Sequence, residues 1–141
     1  MIGDGVEYVM NTTQRYDVIM VDGFNEHAHP GDLNTLPFYQ ACRTRLSEQG
    51  VLVVNLIGLS HGVKGGFVHV EATFDGRALM LPKCKSGNTI ALAVCGDAVD
   101  LSLAELRVRA QQLEARTNLA LMPTLIKLEH EPGYQQGSLS I

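Results

Sequence analysis

The chain has 141 residues, 45% hydrophobic and 18% charged, with a formal net charge of -4. That length points to one domain over residues 1–141, with room for a core but short for a complete α/β enzyme, and the composition excludes a disordered chain. The 11 lysines and arginines are scattered, which excludes a phosphate-tracking surface and hence a nucleic-acid partner.

Taken in chain order, residues 4–12 predict a short helix after "GDG", with Val6, Val9 and Met10 on one face. "YDVIMV" (16–21) predicts a strand buried on both faces, because four consecutive positions are apolar. A polar loop, 22–34, follows it. The next helix is expected from Thr35 to Glu48, with Pro37 in its first turn and Gly50 as its stop. "GVLVVNLIG" (50–58) predicts a second doubly buried strand. The glycine-rich stretch up to Gly66 reads as a flexible connector, leading into a short helix over 67–73. Residues 77–82 and 88–96 predict two strands joined by the turn "KCKSG". Ser102 and Glu105 form a capping box that opens a helix to Thr117, with Leu103, Leu106, Ala110 and Leu113 as its seam. The tail, 133–141, is expected to be mobile.

The three cysteines, Cys42, Cys84 and Cys95, are odd in number and lack a C-x-x-C pair. They read as reduced thiols of a cytoplasmic protein rather than a disulfide framework or zinc site. "EHAH" (26–29) clusters Glu26, His27 and His29, but no third histidine is placed to complete a metal shell, so no metal is expected. No apolar stretch approaches the roughly 20 residues of a membrane span. The "HGVKGG" stretch (61–66) lacks the spacing of either a P-loop or a dinucleotide fingerprint.

The order strand, helix, strand, helix, then two strands with a short turn has a topological meaning. The first pair must be parallel and the last antiparallel. In open sheets of this kind, ligands sit beyond the carboxyl ends of the strands, and Asp22 stands at that edge. A loop or helix-capping role would also place an aspartate there.

Several segments in order resemble the spermidine/spermine synthase family, the polyamine aminopropyltransferases. They are "GDG" (3–5), "YDVIMVD" (16–22), "LNTLPFYQACRTRLSEQGVLVVNL" (33–56) and "GNTIALAV" (87–94), so the resemblance covers about residues 3 to 95. It implies the C-terminal half of a class I S-adenosylmethionine-dependent methyltransferase fold, Rossmann-like, with parallel strands and one antiparallel hairpin. It also implies that decarboxylated S-adenosylmethionine is a co-substrate rather than a tightly bound cofactor, and that the second partner is a small amine. By resemblance, Asp22 matches the aspartate that takes the amine's proton. Asp4, flanked by Gly3 and Gly5, matches the residue that holds the adenine amino group, although an N-cap reading of Asp4 is compatible with it.

Two departures from the family pattern stand out. The family's second loop aspartate, which helps bind the amine, is Asn25 here. The glycine-rich first motif, the acidic residue for the ribose and the N-terminal oligomerisation domain are expected upstream of this stretch. A truncated or degenerate homologue, inactive on its own, is therefore expected. The strand at 16–21 would then form an open apolar edge, and the chain would form a homo-oligomer or cover that edge itself. The alternatives are a non-catalytic binding or assembly domain of the same fold, or a methyltransferase.

Overall fold

The computed structural model describes residues 3–24, 30–57, 60–84, 87–130, 134 and 138–141. The chain comprises two compact units, Met1–Asp97 and Ala98–Ile141. The division follows from strand pairing. The strand at 100–102 pairs with the chain's C-terminal segment and belongs to a two-stranded sheet of its own.

The first unit runs α1 (Gly5–Asn11), β1 (Tyr16–Val21), a 3-10 turn (Gly31–Asn34), α2 (Leu36–Arg45), β2 (Leu46–Leu56), α3 (Ser60–Thr73), β3 (Ala78–Met80) and β4 (Thr89–Val94). The sheet order is β1-β2-β4-β3. β1 and β2 are parallel, with Ile19 opposite Leu52 and Val21 opposite Val54. β4 runs antiparallel to both β2 and β3, so three strands share one direction and β4 reverses it. This is the expected parallel sheet with one antiparallel hairpin, and the reversed strand is inserted beside β2.

One face of the sheet carries the core. Val21, Leu52, Val54, Leu56, Ala91 and Ala93 are buried there with Phe38 and Cys42 of α2, Val63 and Val70 of α3, and Phe74. Burial of each large apolar side chain contributes about 1.5–3 kcal/mol. The opposite face, with Val51, Val53, Leu92 and Val94, is only half-buried.

Three expectations change here. β1 is not buried on both faces: Val18 is 54% exposed and Met20 76%. Its apolar run suggested burial on both faces, but it occupies the sheet edge, the position expected if the upstream strands are missing. α2 ends at Arg45 rather than Glu48, because Leu46 is buried and already pairs with Tyr16. Gly50 lies buried within β2 instead of stopping a helix. α3 begins at Ser60, so the glycine-rich stretch contributes to the helix. Val63, Val70 and Phe74 recur at helical spacing and are buried, which compensates for the low helix propensity of Gly62, Gly65 and Gly66.

The second unit contains β5 (Asp100–Ser102), α4 (Leu103–Thr117), α5 (Met122–Leu128) and β6 (Ser138–Ser140). The Ser102 hydroxyl accepts from the Glu105 backbone N–H while the Glu105 carboxylate accepts from Ser102, completing the predicted capping box. Within the seam, Ala110 is buried and Leu113 exposed. The tail expected to be mobile instead supplies a strand, with Leu139 opposite Leu101 and buried. That strand gains backbone hydrogen bonds and burial, which offset the cost of ordering it.

Candidate active site

Asp22 follows β1 directly and stands at the carboxyl edge of the sheet. The parallel register that sets Val21 against Val54 places the next residues, Asp22 and Asn55, side by side on one face. The Asn55 amide Nδ2 donates to Asp22 Oδ1 at 2.9 Å. Asp22 is otherwise exposed. The other end of the same amide, Asn55 Oδ1, is buried and has no hydrogen-bond partner among the described residues. An unpaired buried acceptor costs about 1–3 kcal/mol.

Beside β1 lies a cleft of about 390 Å³ whose walls include Tyr8, Tyr16, Met20, Asp22, Gly23 and Leu33. Gly23 lets Leu33 Cδ1 close against the strand end, and a Cβ there would displace that side chain. The Tyr8 and Tyr16 hydroxyls pair at 2.5 Å, and Tyr16 also donates to Gln14 Oε1 at 2.8 Å. Their mutual hydrogen bond lowers the Tyr8 pKa and raises that of Tyr16.

Asp4 is the N-cap of α1. Its Oδ1 accepts from the Val6 N–H at 2.8 Å and the Glu7 N–H at 3.0 Å, so the capping reading holds. Both bonds use Oδ1. A second cavity, of about 360 Å³, is lined by Gly3, Asp4, Gly5 and Tyr8. Gly5 and Tyr8 line both cavities, so the structure brings Asp4 and Asp22 to adjoining spaces. Asn25 lies outside the described residues, as does the Glu26, His27 and His29 cluster. No helix among the described residues is long and apolar enough to cross a membrane.

Asn55 was missed in the sequence, although a signal was present. "VIMVD" and "VLVVN" each end an apolar strand on one polar residue, and parallel pairing in register brings those two residues together. Tyr8 and Tyr16 carried no comparable signal, because their pairing depends on how α1 returns towards β1.

Residues 1–56 match the model of the spermine/spermidine synthase domain. The chain is 31% identical over 110 residues to a polyamine aminopropyltransferase of Neisseria meningitidis serogroup A, covering 78% of this chain and 42% of that relative. It is 29% identical over 138 residues to the polyamine aminopropyltransferase of Chromobacterium violaceum, covering 98% of this chain and 53% of the relative. The chain thus spans about half the length of the curated relatives it matches. A crystal structure of spermidine synthase in complex with the transition-state analogue AdoDATO superposes with a TM-score of 0.57 at 27% identity, over 68% of this chain and 36% of that one. Human methyltransferase-like protein 13, in complex with SAH, gives a TM-score of 0.69 at 24% identity over 84% of this chain and 59% of that one, a likeness of fold alone.

Proposed function

On the premise that the chain belongs to the spermine/spermidine synthase family, we propose that it carries the amine-activating side of an aminopropyltransferase site. Asp22 is the base. The observation that carries this reading is the placement of its carboxylate at the carboxyl end of β1, held by Asn55 and open to the cleft.

The chemistry requires such a group. A protonated amine has no lone pair, so a carboxylate must hold the ammonium and accept its proton. The freed nitrogen then forms a bond to the carbon beside the sulfonium of decarboxylated S-adenosylmethionine. The carbon–sulfur bond breaks with its electron pair going to sulfur, which leaves as a neutral thioether. Base catalysis of this type contributes about 10²–10⁴-fold. Asp4, with both capping bonds on Oδ1, has its other carboxylate oxygen for an adenine amino group, and Gly3 and Gly5 keep the approach open. Asn25 would offer the amine an uncharged acceptor.

The same reading makes the nucleoside a co-substrate rather than a resident cofactor, in a cytoplasmic protein whose other partner is a small amine. In support, the spermidine synthase neighbour is recorded with a transition-state analogue. The test is transfer from decarboxylated S-adenosylmethionine to 1,4-diaminobutane by a protein of the relatives' full length that carries this chain, with S-adenosylmethionine as the competing donor. Aminopropyl transfer that falls about 10²-fold or more in Asp22→Asn is the expected result. Equal turnover by Asp22→Asn, or methyl transfer alone, would overturn the reading.

A further inference from the structure

The sequence holds three Asp-Gly pairs, Asp4-Gly5, Asp22-Gly23 and Asp75-Gly76. Such a pair can close on itself. The glycine nitrogen attacks the Cγ of the protonated aspartate carboxyl, and glycine has no Cβ to obstruct the approach. A carbon–nitrogen bond forms, the carbon–hydroxyl bond breaks, and the amide proton leaves with the hydroxyl as water. The cyclic imide then takes up one water at either carbonyl. Opening at one regenerates aspartate. Opening at the other leaves isoaspartate, with the main chain running through Cγ and a carboxylate on Cα. Closure requires a carboxyl and a glycine N–H that are free to turn towards each other.

Two of the pairs are held apart. Asp75 is ion-paired with Arg43 Nη2 at 2.7 Å, and that hydrogen bond and charge keep its carboxyl below the usual range and hence ionised. The Gly76 N–H donates to the Glu71 carbonyl at 2.9 Å, so the nucleophile is occupied as well. Asp4 commits Oδ1 to the Val6 and Glu7 N–H groups, and Gly5 is the first residue of α1. Closing that ring would unseat the helix cap. Asp22 differs on each count. Its carboxylate is exposed and, among the described residues, is held only by the neutral Asn55 amide on Oδ1. The Gly23 N–H has no hydrogen-bond partner among the described residues, and both residues lie beyond Val21, where the pairing of β1 ends.

We infer that Asp22-Gly23 is a self-modification site, where the folded protein converts aspartate to isoaspartate faster than at either other pair. The chemistry needs water alone and no second enzyme. Its consequence rests on the reading of Asp22 as the base. Isoaspartate inserts a methylene into the main chain and draws the carboxylate back to Cα, so the base is withdrawn from the end of β1. Modification at this one pair therefore removes transfer while leaving the sheet and both helices of the core face intact.

The test ages a protein of the relatives' full length that carries this chain at neutral pH, once folded and once in urea. Tryptic peptides ending at Arg15, Arg43 and Arg77 carry one Asp-Gly pair each, and chromatography against synthetic isoaspartyl standards measures the product at every pair. In the folded protein, isoaspartate should form at Asp22 about fivefold or more faster than at Asp4 or Asp75, the rate equivalent of one helix cap. In urea the three rates should come together, because the restraints on Asp4 and Asp75 are gone. Folded rates that are alike at all three pairs overturn the inference, and so does an excess at Asp22 that persists unchanged in urea. Transfer measured on the same samples separates the site from the role of its residue. Isoaspartate accumulating at Asp22 with transfer undiminished would support the modification site and count against Asp22 as the base.

Discussion

Gly66 of α3 stands so close to Asn34 that a Cβ there would lie 2.6 Å from Asn34 Oδ1. The amide cannot easily withdraw, because the Tyr39 hydroxyl donates to the same Oδ1 at 3.0 Å and Tyr39 is fully buried. The Asn34 carbonyl oxygen is bound in turn by His69 Nδ1 at 3.2 Å. This close approach seats α3 against the turn that precedes α2 and so against the floor of the sheet's core face. Replacing Gly66 by alanine sets a helix-propensity gain of about 1 kcal/mol against an overpacking cost of about 1–3 kcal/mol. Gly66→Ala should therefore lower the urea midpoint. Gly65→Ala, where nothing lies within 4 Å of the added carbon, should raise the midpoint, with a stability gain of about 0.5–1 kcal/mol. Equal effects at the two positions would contradict the contact.

Cys42 and Tyr39 make the first unit sensitive to alkali. Burial pushes the Cys42 thiol up to about 12 from its ordinary 9.0 and raises the Tyr39 hydroxyl too. In the unfolded chain the thiol ionises first, so the folded state binds more protons between these values and loses stability as pH rises from about 9 towards about 12. The slope from this one group reaches at most about 1.4 kcal/mol per pH unit. Thermal unfolding measured from pH 8 to 11 should show the decline, and Cys42→Ala should make it shallower. Parallel curves would rule out the thiol as a contributor.

In the second unit, the capping box at Ser102 and Glu105 starts α4. Ser102→Ala should cost about 1 kcal/mol, read as lost helicity and a lower unfolding temperature. Hydrogen bonds from the Ser102 hydroxyl and backbone N–H hold the Glu105 carboxyl below its usual range. Its contribution is therefore present above the unfolded pKa and lost as pH falls through the lowered folded value. Glu105→Gln should flatten that acid-side change, and an unchanged acid profile would count against the box.

β1 presents an edge without a strand partner among the described residues, and Val18 and Met20 are exposed along it. Apolar edges of this kind pair with other strands. Sedimentation should show concentration-dependent self-association, weakened by Met20→Lys. A protein that remains monomeric at every concentration would remove β1 as a docking edge.

Much of this was legible in the residues. Strand direction followed from connection lengths, because a short turn forces an antiparallel pair and a helix crossover a parallel one. The Ser102 capping box and the Asp4 cap were local hydrogen-bond patterns that neighbouring residues specify completely. Asp22 could be placed at the sheet's carboxyl edge for the same reason. Periodicity cannot report what covers a strand's face, so the four apolar residues of β1 suggested burial on both faces when Val18 and Met20 are exposed. Likewise, three glycines argued against a helix at 60–66 until the contacts of Gly66 and Val63 supplied what propensity withheld. Only the tertiary structure decided that Asp22 and Asn55 meet. They are 33 positions apart in sequence, and the distance between them is set by the register of β1 on β2, which depends on the burial of the whole strand pair rather than on either residue.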